Sequence, residues 1–194
     1  SESLILQSVV RKTDADNEYD RCSYPSVDDC SSDFHQENAR VGLVYKTDLG
    51  ENSVSYSHAD VDRATFALGK KQYAYQGEIN RIEFNGNARL SQATNLVYGL
   101  EHRADEADKN NRAQKGIYGE YQGQYADNIF ITAGARRDKN DDFGSHNSYR
   151  MSGAYLVPVV ESGIFKFKSS VGTGYRAPSL YEVSYNRQAN ESAS

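Results

Sequence analysis

Along most of the chain, apolar and polar residues alternate with a period of two, the pattern of β-strands whose two faces meet different surroundings. From Arg81 to Leu90, the series Ile82, Phe84, Gly86, Ala88 and Leu90 interleaves with Arg81, Glu83, Asn85, Asn87 and Arg89. From Ala113 to Tyr125, Ile117, Gly119, Tyr121, Gly123 and Tyr125 alternate with Tyr118, Glu120, Gln122 and Gln124. Leu96, Tyr98, Leu100 and His102 oppose Val97, Gly99, Glu101 and Arg103, and Ala39, Val41, Leu43 and Tyr45 oppose Arg40, Gly42, Val44 and Lys46. The rhythm predicts about nine strands, near 3–11, 36–47, 52–63, 78–90, 95–104, 114–125, 128–138, 147–157 and 163–174.

The connections predicted between them fall into two alternating kinds. Tight ones at Asp48–Glu51, Ser91–Thr94, Ala126–Asp127 and Pro158–Ser162 take turns with long, charged ones at Lys12–His35, Ala64–Gly77, Ala104–Arg112 and Lys139–His146. This is the arrangement of an antiparallel meander in a transmembrane β-barrel, with short turns at one end, long loops at the other and a polar lumen. A soluble β-sandwich also alternates, but its inward face is packed with aliphatic residues. Here the apolar series is thin and rich in Tyr, with small residues such as Gly119, Gly123, Ala133, Ala135 and Gly153. Such a face makes a poor dry core and a serviceable lipid-facing wall, where interfacial Tyr forms girdles. The expected fold class is therefore all-β, an antiparallel meander of about nine strands forming part of a transmembrane barrel.

Composition narrows the function. The 194 residues include 15 Tyr, 7 Phe and no Trp, a balance that favours β-structure. Hydrophobic residues make up 38% and mean hydropathy is -0.77, and no apolar run approaches the ~20 residues of a membrane-spanning helix. The opening SESLILQSVV carries no basic start or long apolar stretch, so no signal peptide is visible in it. A net charge of -5 without clustered Lys and Arg offers no footprint for nucleic acid. Cys22 and Cys30 close a small loop if oxidised; in an oxidising compartment they form a disulfide, in cytosol they stay free thiols. No nucleophile elbow, phosphate-cradling glycine loop or helical zinc pair is present, so no enzyme is expected. Asp14, Asp16, Asp141 and Asp142 are the oxygen-rich candidates for a calcium ion, against the simpler reading of solvated acidic loops.

The decisive residues lie near the end, in IFKFKSSVGTGYRAPSLYEV. Gly172, Thr173, Gly174, Tyr175, Arg176, Ala177, Pro178, Ser179, Leu180 and Tyr181 closely resemble a segment of TonB-dependent outer-membrane receptors, a strand ending in Gly-x-Gly-aromatic-basic-Ala-Pro-Ser-Leu. Upstream, AGARRDKNDDFGSHNSYRMSGAY is similar to the hairpin that precedes it. LVYGLEHR, GIYGEYQGQY and GARRDKNDDFGSH follow one another as in the cobalamin-receptor branch. One departure is Arg137, which stands where the family commonly has an aromatic residue.

The resemblance implies an active-transport receptor in the outer membrane of a Gram-negative bacterium. Its partners would be outer-membrane lipid, a scarce bulky ligand such as a corrinoid or iron chelate, and TonB acting through a plug domain. Such receptors have about 22 strands around a plug, so residues 1–194 would be a partial barrel domain without the plug. Open strand edges in lipid are costly, and the piece alone is expected to fail to insert or to aggregate. Calcium-ordered outer loops are also known in the cobalamin-receptor branch, which gives the acidic residues a rationale there. By parity, Arg81, Glu83, Arg89, Glu101, Glu120, Arg136, Asp138, Lys166 and Lys168 would face the lumen, and Arg176 would pair with a plug carboxylate, or with Asp138 or other carboxylates on adjoining strands. Gly172 and Gly174 would permit close backbone approach, and Pro178 would end the ladder. Two other readings stay open: a passive porin-type or structural barrel, and a secreted β-sandwich binding module.

Overall fold

The computed structural model describes residues 2–22, 27–107, 110–159, 163–180 and 182–183. Nine strands run in chain order as one antiparallel sheet: β1 (Ser3–Tyr19), β2 (Cys30–Thr47), β3 (Gly50–Ala67), β4 (Lys70–Ser91), β5 (Thr94–Ala107), β6 (Asn110–Tyr125), β7 (Ile129–Asn140), β8 (Gly144–Val159) and β9 (Gly163–Gly172). Each strand pairs with its sequence neighbours, and β1 and β9 form the two edges. The β-sandwich reading fails here, because there is no second sheet among the described residues. The apolar series stays uncovered, with Leu100 52%, Ile117 55%, Met151 54% and Phe167 62% exposed.

Register divides the sheet into two chemically distinct faces. Residues directly across a ladder share a face. Phe84, Leu100 and Ile117 form one such row, and Ala88, Leu96, Tyr121, Ala133, Met151 and Val171 form another. On the opposite face, Ser55, Glu83, Glu101, Gly116 and Asp138 stand in one row. Glycines on these faces accept rings from the next strand: a Cβ on Gly86 would meet the Tyr98 ring at 2.4 Å, and one on Gly99 the Tyr118 ring at 2.5 Å. The rings are held at their tips, Tyr98 donating to Asn52 Oδ1 at 2.8 Å and Tyr118 to Asn85 Oδ1 at 2.6 Å.

The four long, charged loops expected from the sequence are largely strand. β3 and β4 meet at a two-residue turn, Leu68 and Gly69, with φ of 51° and 69°, the left-handed pair that suits a tight hairpin. β5 reaches Ala107 and β6 begins at Asn110, while β7 runs to Asn140 and β8 begins at Gly144. The reason lies in cross-strand pairing of the charges that suggested loops: Lys12 opposes Glu37, and Asp14 opposes His35. β4 has 22 residues and β9 ten, whereas about 9–11 tilted residues span a bilayer. The β1–β4 hairpins thus continue well past the apolar band. The tight turns stand at the other end, although the β8–β9 connection expected at Pro158–Ser162 lies partly outside the described residues.

The division of faces gives a parity test. Ala133→Arg on the apolar face should destabilise the protein in lipid by about 2–4 kcal/mol, and Thr132→Arg, facing the other way, by less than about 1. Urea unfolding from lipid vesicles measures both; equal costs would show that the two faces meet the same surroundings.

Candidate functional site

The polar face carries a chain of ion pairs that crosses the strands. Arg40 approaches Glu83 at 3.9 Å, Arg81 lies 3.7 Å from Glu83 and 3.5 Å from Glu101, and Arg136 reaches Glu101 at 3.0 Å. Arg136 also grips Asp138 with a two-pronged fork, Nε to Oδ2 at 2.9 Å and Nη2 to Oδ1 at 2.7 Å. Planar guanidinium and carboxylate match in this geometry, so it fixes orientation as well as charge. Gln114 donates to Asp138 at 3.3 Å, and Asn140, buried, donates to Gln114 at 3.2 Å. The Tyr118 ring lies under the Arg136 guanidinium, 5.9 Å from its centroid.

Gly116 makes the junction possible. It stands directly across from both Glu101 and Asp138, and a Cβ there would lie 2.6 Å from Arg136 Nη2 and 3.0 Å from Asp138 Oδ1. The guanidinium therefore occupies the space that a side chain at position 116 would fill.

The glycine-bearing segment near the end bends across this face. The β9 ladder ends at Gly172, six residues before Pro178, so Pro178 does not end it. A Cβ on Gly172 would come within 2.9 Å of Tyr149 O, a close approach that requires glycine, whereas one on Gly174 would meet nothing within 4 Å. Thr173 makes the last link, its N–H donating to Tyr149 O at 2.9 Å and its Oγ1 accepting from Tyr149 N at 3.1 Å. Beyond it, Tyr175 stacks on His146 with centroids 3.8 Å apart, and Arg112 donates to Pro178 O at 2.6 Å. Ser179 and Glu182 form a capping box: Ser179 N donates to Glu182 Oε2 at 2.6 Å, and Glu182 N to Ser179 Oγ at 3.2 Å. Leu180 is buried.

Arg176 is the clearest correction. It has left the ladder and pairs with Glu182 at 2.8 Å, not with Asp138. The backbone bond from Ser179, with that contact second, holds the Glu182 carboxyl below its usual range. Tyr181 lies outside the described residues.

Between the strap and the wall lies a recess of about 480 Å³, lined by five arginines, among them Arg103 and Arg112, and by three carboxylates, Glu101, Asp105 and Asp138. Two buried polar atoms in its lining, Arg81 Nε and Tyr175 Oη, have no hydrogen-bond partner among the described residues. Buried polar groups are ordinarily paired, so these two atoms can still bond to further groups.

Among the nine polar-face residues expected from the sequence, Arg81, Glu83, Glu101, Arg136 and Asp138 join the ion-pair chain. Arg89, Glu120, Lys166 and Lys168 share the face by register but stand away from it. Glu120 accepts from Gln122 at 2.7 Å. Sequence reasoning missed Gly116, whose place between two carboxylates needs the register, and Asp105 and Arg112, which sit in a segment expected to be loop; Arg103 stood on the polar series of its expected strand but was not singled out. Arg112 lies 3.4 Å from Asp105 and 3.9 Å from Asp142.

Cys22 and Cys30 are joined in a disulfide, with Cα atoms 6.1 Å apart. The calcium candidates are divided between two places. Asp14 and Asp16 lie in β1, and Asp141 and Asp142 in the β7–β8 turn, where Asp141 accepts from Ala113 N at 3.1 Å. Among the described residues no three His, Cys, Asp or Glu side chains gather to hold a metal. Asp14 instead hydrogen-bonds His35 and, as the main cause, raises the imidazole above its usual 6.5.

Two tests follow from these contacts. Arg136→Met strands Asp138 without its cation and leaves Glu101 only Arg81, at 3.5 Å, and should cost about 2–3 kcal/mol, below the full buried-pair value because the guanidinium is part-exposed; Gly116→Ala should cost about 1–3 kcal/mol by crowding the same junction. Urea unfolding in detergent reads both, and wild-type stability in both variants would show the junction to be slack. The His35–Asp14 bond stabilises the β1–β2 hairpin fully below pH 6.5, and that contribution fades as pH rises through the elevated folded-state value. An NMR titration of His35 should show that value falling back towards 6.5 in Asp14→Asn.

Comparison with known proteins agrees with this architecture. No curated protein sequence matches the chain. A solved structure titled as the siderophore receptor PirA from Pseudomonas aeruginosa superposes with a TM-score of 0.68 at 18% identity, over 78% of this chain and 28% of that one. At that identity the likeness concerns the fold, and this chain spans about a quarter of that receptor's length. The family model described as TonB dependent receptor-like, beta-barrel, matches residues 6–193, and the chain belongs to that family.

Proposed function

We propose that this chain is a wall sector of an outer-membrane active-transport receptor. In the intact protein it helps enclose a plugged lumen through which a scarce bulky ligand enters the periplasm, with energy delivered by TonB through the plug. The observation that carries the reading is the division of one sheet into an exposed apolar face and a face laced with ion pairs. Hydrocarbon suits the first, and a wet, partly filled lumen suits the second. The recess under the Tyr175–Leu180 strap, with Arg81 Nε and Tyr175 Oη unpartnered, offers donors to groups of a plug or of a ligand.

An anionic iron chelate is the favoured ligand class. The unpartnered donors Arg81 Nε and Tyr175 Oη in the recess suit a ligand rich in acceptors. The structural likeness to a siderophore receptor agrees with this choice. A corrinoid is the second reading, resting on the order of the LVYGLEHR, GIYGEYQGQY and GARRDKNDDFGSH segments.

Radiolabelled uptake separates the readings. Cells lacking the gene should lose uptake of a ferric chelate and keep that of cobalamin, and uptake should vanish when TonB is removed. Loss of cobalamin uptake instead would move the ligand class to corrinoids. A steady open conductance in planar bilayers, with uptake indifferent to TonB, would replace the receptor by a passive pore.

A further inference from the structure

β8 and β9 put cations on the polar face and contain no Asp or Glu at all. Arg150 of β8 stands in the row Glu120–Gly134–Arg150–Gly172, and Lys168 of β9 in the row Phe130–Ala154–Lys168. Between these rows runs a third, in which Thr132, Ser152 and Ser170 stand side by side. Among the described residues neither cation has an ion-pair partner, and none of the three hydroxyls has a hydrogen-bond partner. Both cations are exposed. Glycine flanks Arg150 on each side and Ala154 stands beside Lys168, so no neighbour in either row reaches across to neutralise them. Glu120, two strands from Arg150, accepts instead from Gln122. Elsewhere on the same face Arg40, Arg81, Arg103, Arg112 and Arg136 each lie within 3.9 Å of a carboxylate.

Arg150, Lys168 and the three hydroxyls line one hollow of about 360 Å³, together with Phe130. A second hollow of about 290 Å³ adjoins Arg150 and extends to Arg136 and Thr173. Arg136 in turn lines the recess under the strap. Three concavities thus follow one another down the wall, with Arg136 and Arg150 as the shared posts. The lowest lies beside the start of β7 and the Ala126–Asp127 turn, and short turns of outer-membrane barrels face the periplasm. Two cations and three hydroxyl donors suit a carboxylate group. Their exposure makes any one pairing weak, which fits an occupant that arrives and departs: a permeant group must be held firmly enough to enter and loosely enough to leave. A permanent partner would be gripped as Asp138 is by Arg136, through a buried two-pronged contact.

We propose that Arg150 and Lys168, with the hydroxyls of Thr132, Ser152 and Ser170, form an anion subsite that a carboxylate-bearing chelate occupies in passage between the recess and the periplasmic end of the lumen. The inference deepens the transport reading given above and rests on it.

The test uses the intact receptor in mild detergent, with a trifluoromethyl tag on Ala154→Cys; Cys22 and Cys30, joined in their disulfide, do not take the tag. Titrated with citrate, a tricarboxylate, the fluorine resonance should shift and saturate, and the response should weaken as salt is raised. The variant Arg150→Gln, Lys168→Gln removes two exposed, unpaired charges and is expected to fold as the wild type does. Its affinity for citrate should fall roughly tenfold, about threefold for each cation, and Arg150→Lys, Lys168→Arg should keep the wild-type affinity. No citrate response in the wild type, as when a plug carboxylate already sits on the cations, or an equal response in the Gln variant, would overturn the subsite while leaving the receptor reading intact. In cells, the Gln variant should slow TonB-dependent uptake of the ferric chelate and leave unchanged the amount bound to energy-depleted cells. Weaker binding with an unchanged uptake rate would overturn the passage role. Uptake indifferent to TonB would overturn the receptor reading, and the passage with it.

Discussion

A backbone that enters hydrocarbon must find all its hydrogen-bond partners inside the protein, and the nine-stranded meander meets that demand at every internal ladder, leaving only the outer edges of β1 and β9 to be paired. Once the ladders are set, parity assigns every side chain to one face or the other, and a slip of one residue would turn the ion-pair chain into lipid. The Arg136–Asp138 fork, the Tyr118 ring over Gly99 and the cations outside Lys115 all follow from that single register. Little of the structure depends on a buried core; Cys30, Val44, Ala67, Ala107 and Leu180 are the buried hydrophobic residues described.

The two faces of β6 and β7 show how the same ladder handles charge differently. Inward, Gly116 clears space and Arg136 satisfies two carboxylates at once. Outward, Lys115 and Lys139 face each other with no acid in their row.

Much of the fold was legible because alternation is a local signal. All nine strands and the tight turns at Asp48, Ser91 and Ala126 follow from residue order alone. The outer strand ends were not, because charged residues such as Lys12, Asp14, His35 and Glu37 read as loop until their cross-strand partners are known. The same limit hid Arg112 and Gly116, whose neighbours come from other strands. Arg176 was misjudged for another reason: parity holds only while the ladder lasts, and the chain leaves it after Gly172. The Ser179–Glu182 spacing carried a capping signal that strand parity overrode.

In the proposed receptor, the extension of β1 to β4 beyond the apolar band changes what a ligand would encounter at that rim. Hydrogen-bonded ribbon, tied near one tip by Cys22–Cys30 and folded sharply at Leu68–Gly69, has already surrendered most of its backbone freedom. A molecule captured there would not have to freeze a slack loop, so more of the contact energy remains available as affinity. Recognition on this rim would favour rigid shapes that fit a standing palisade over those that need a closing hand.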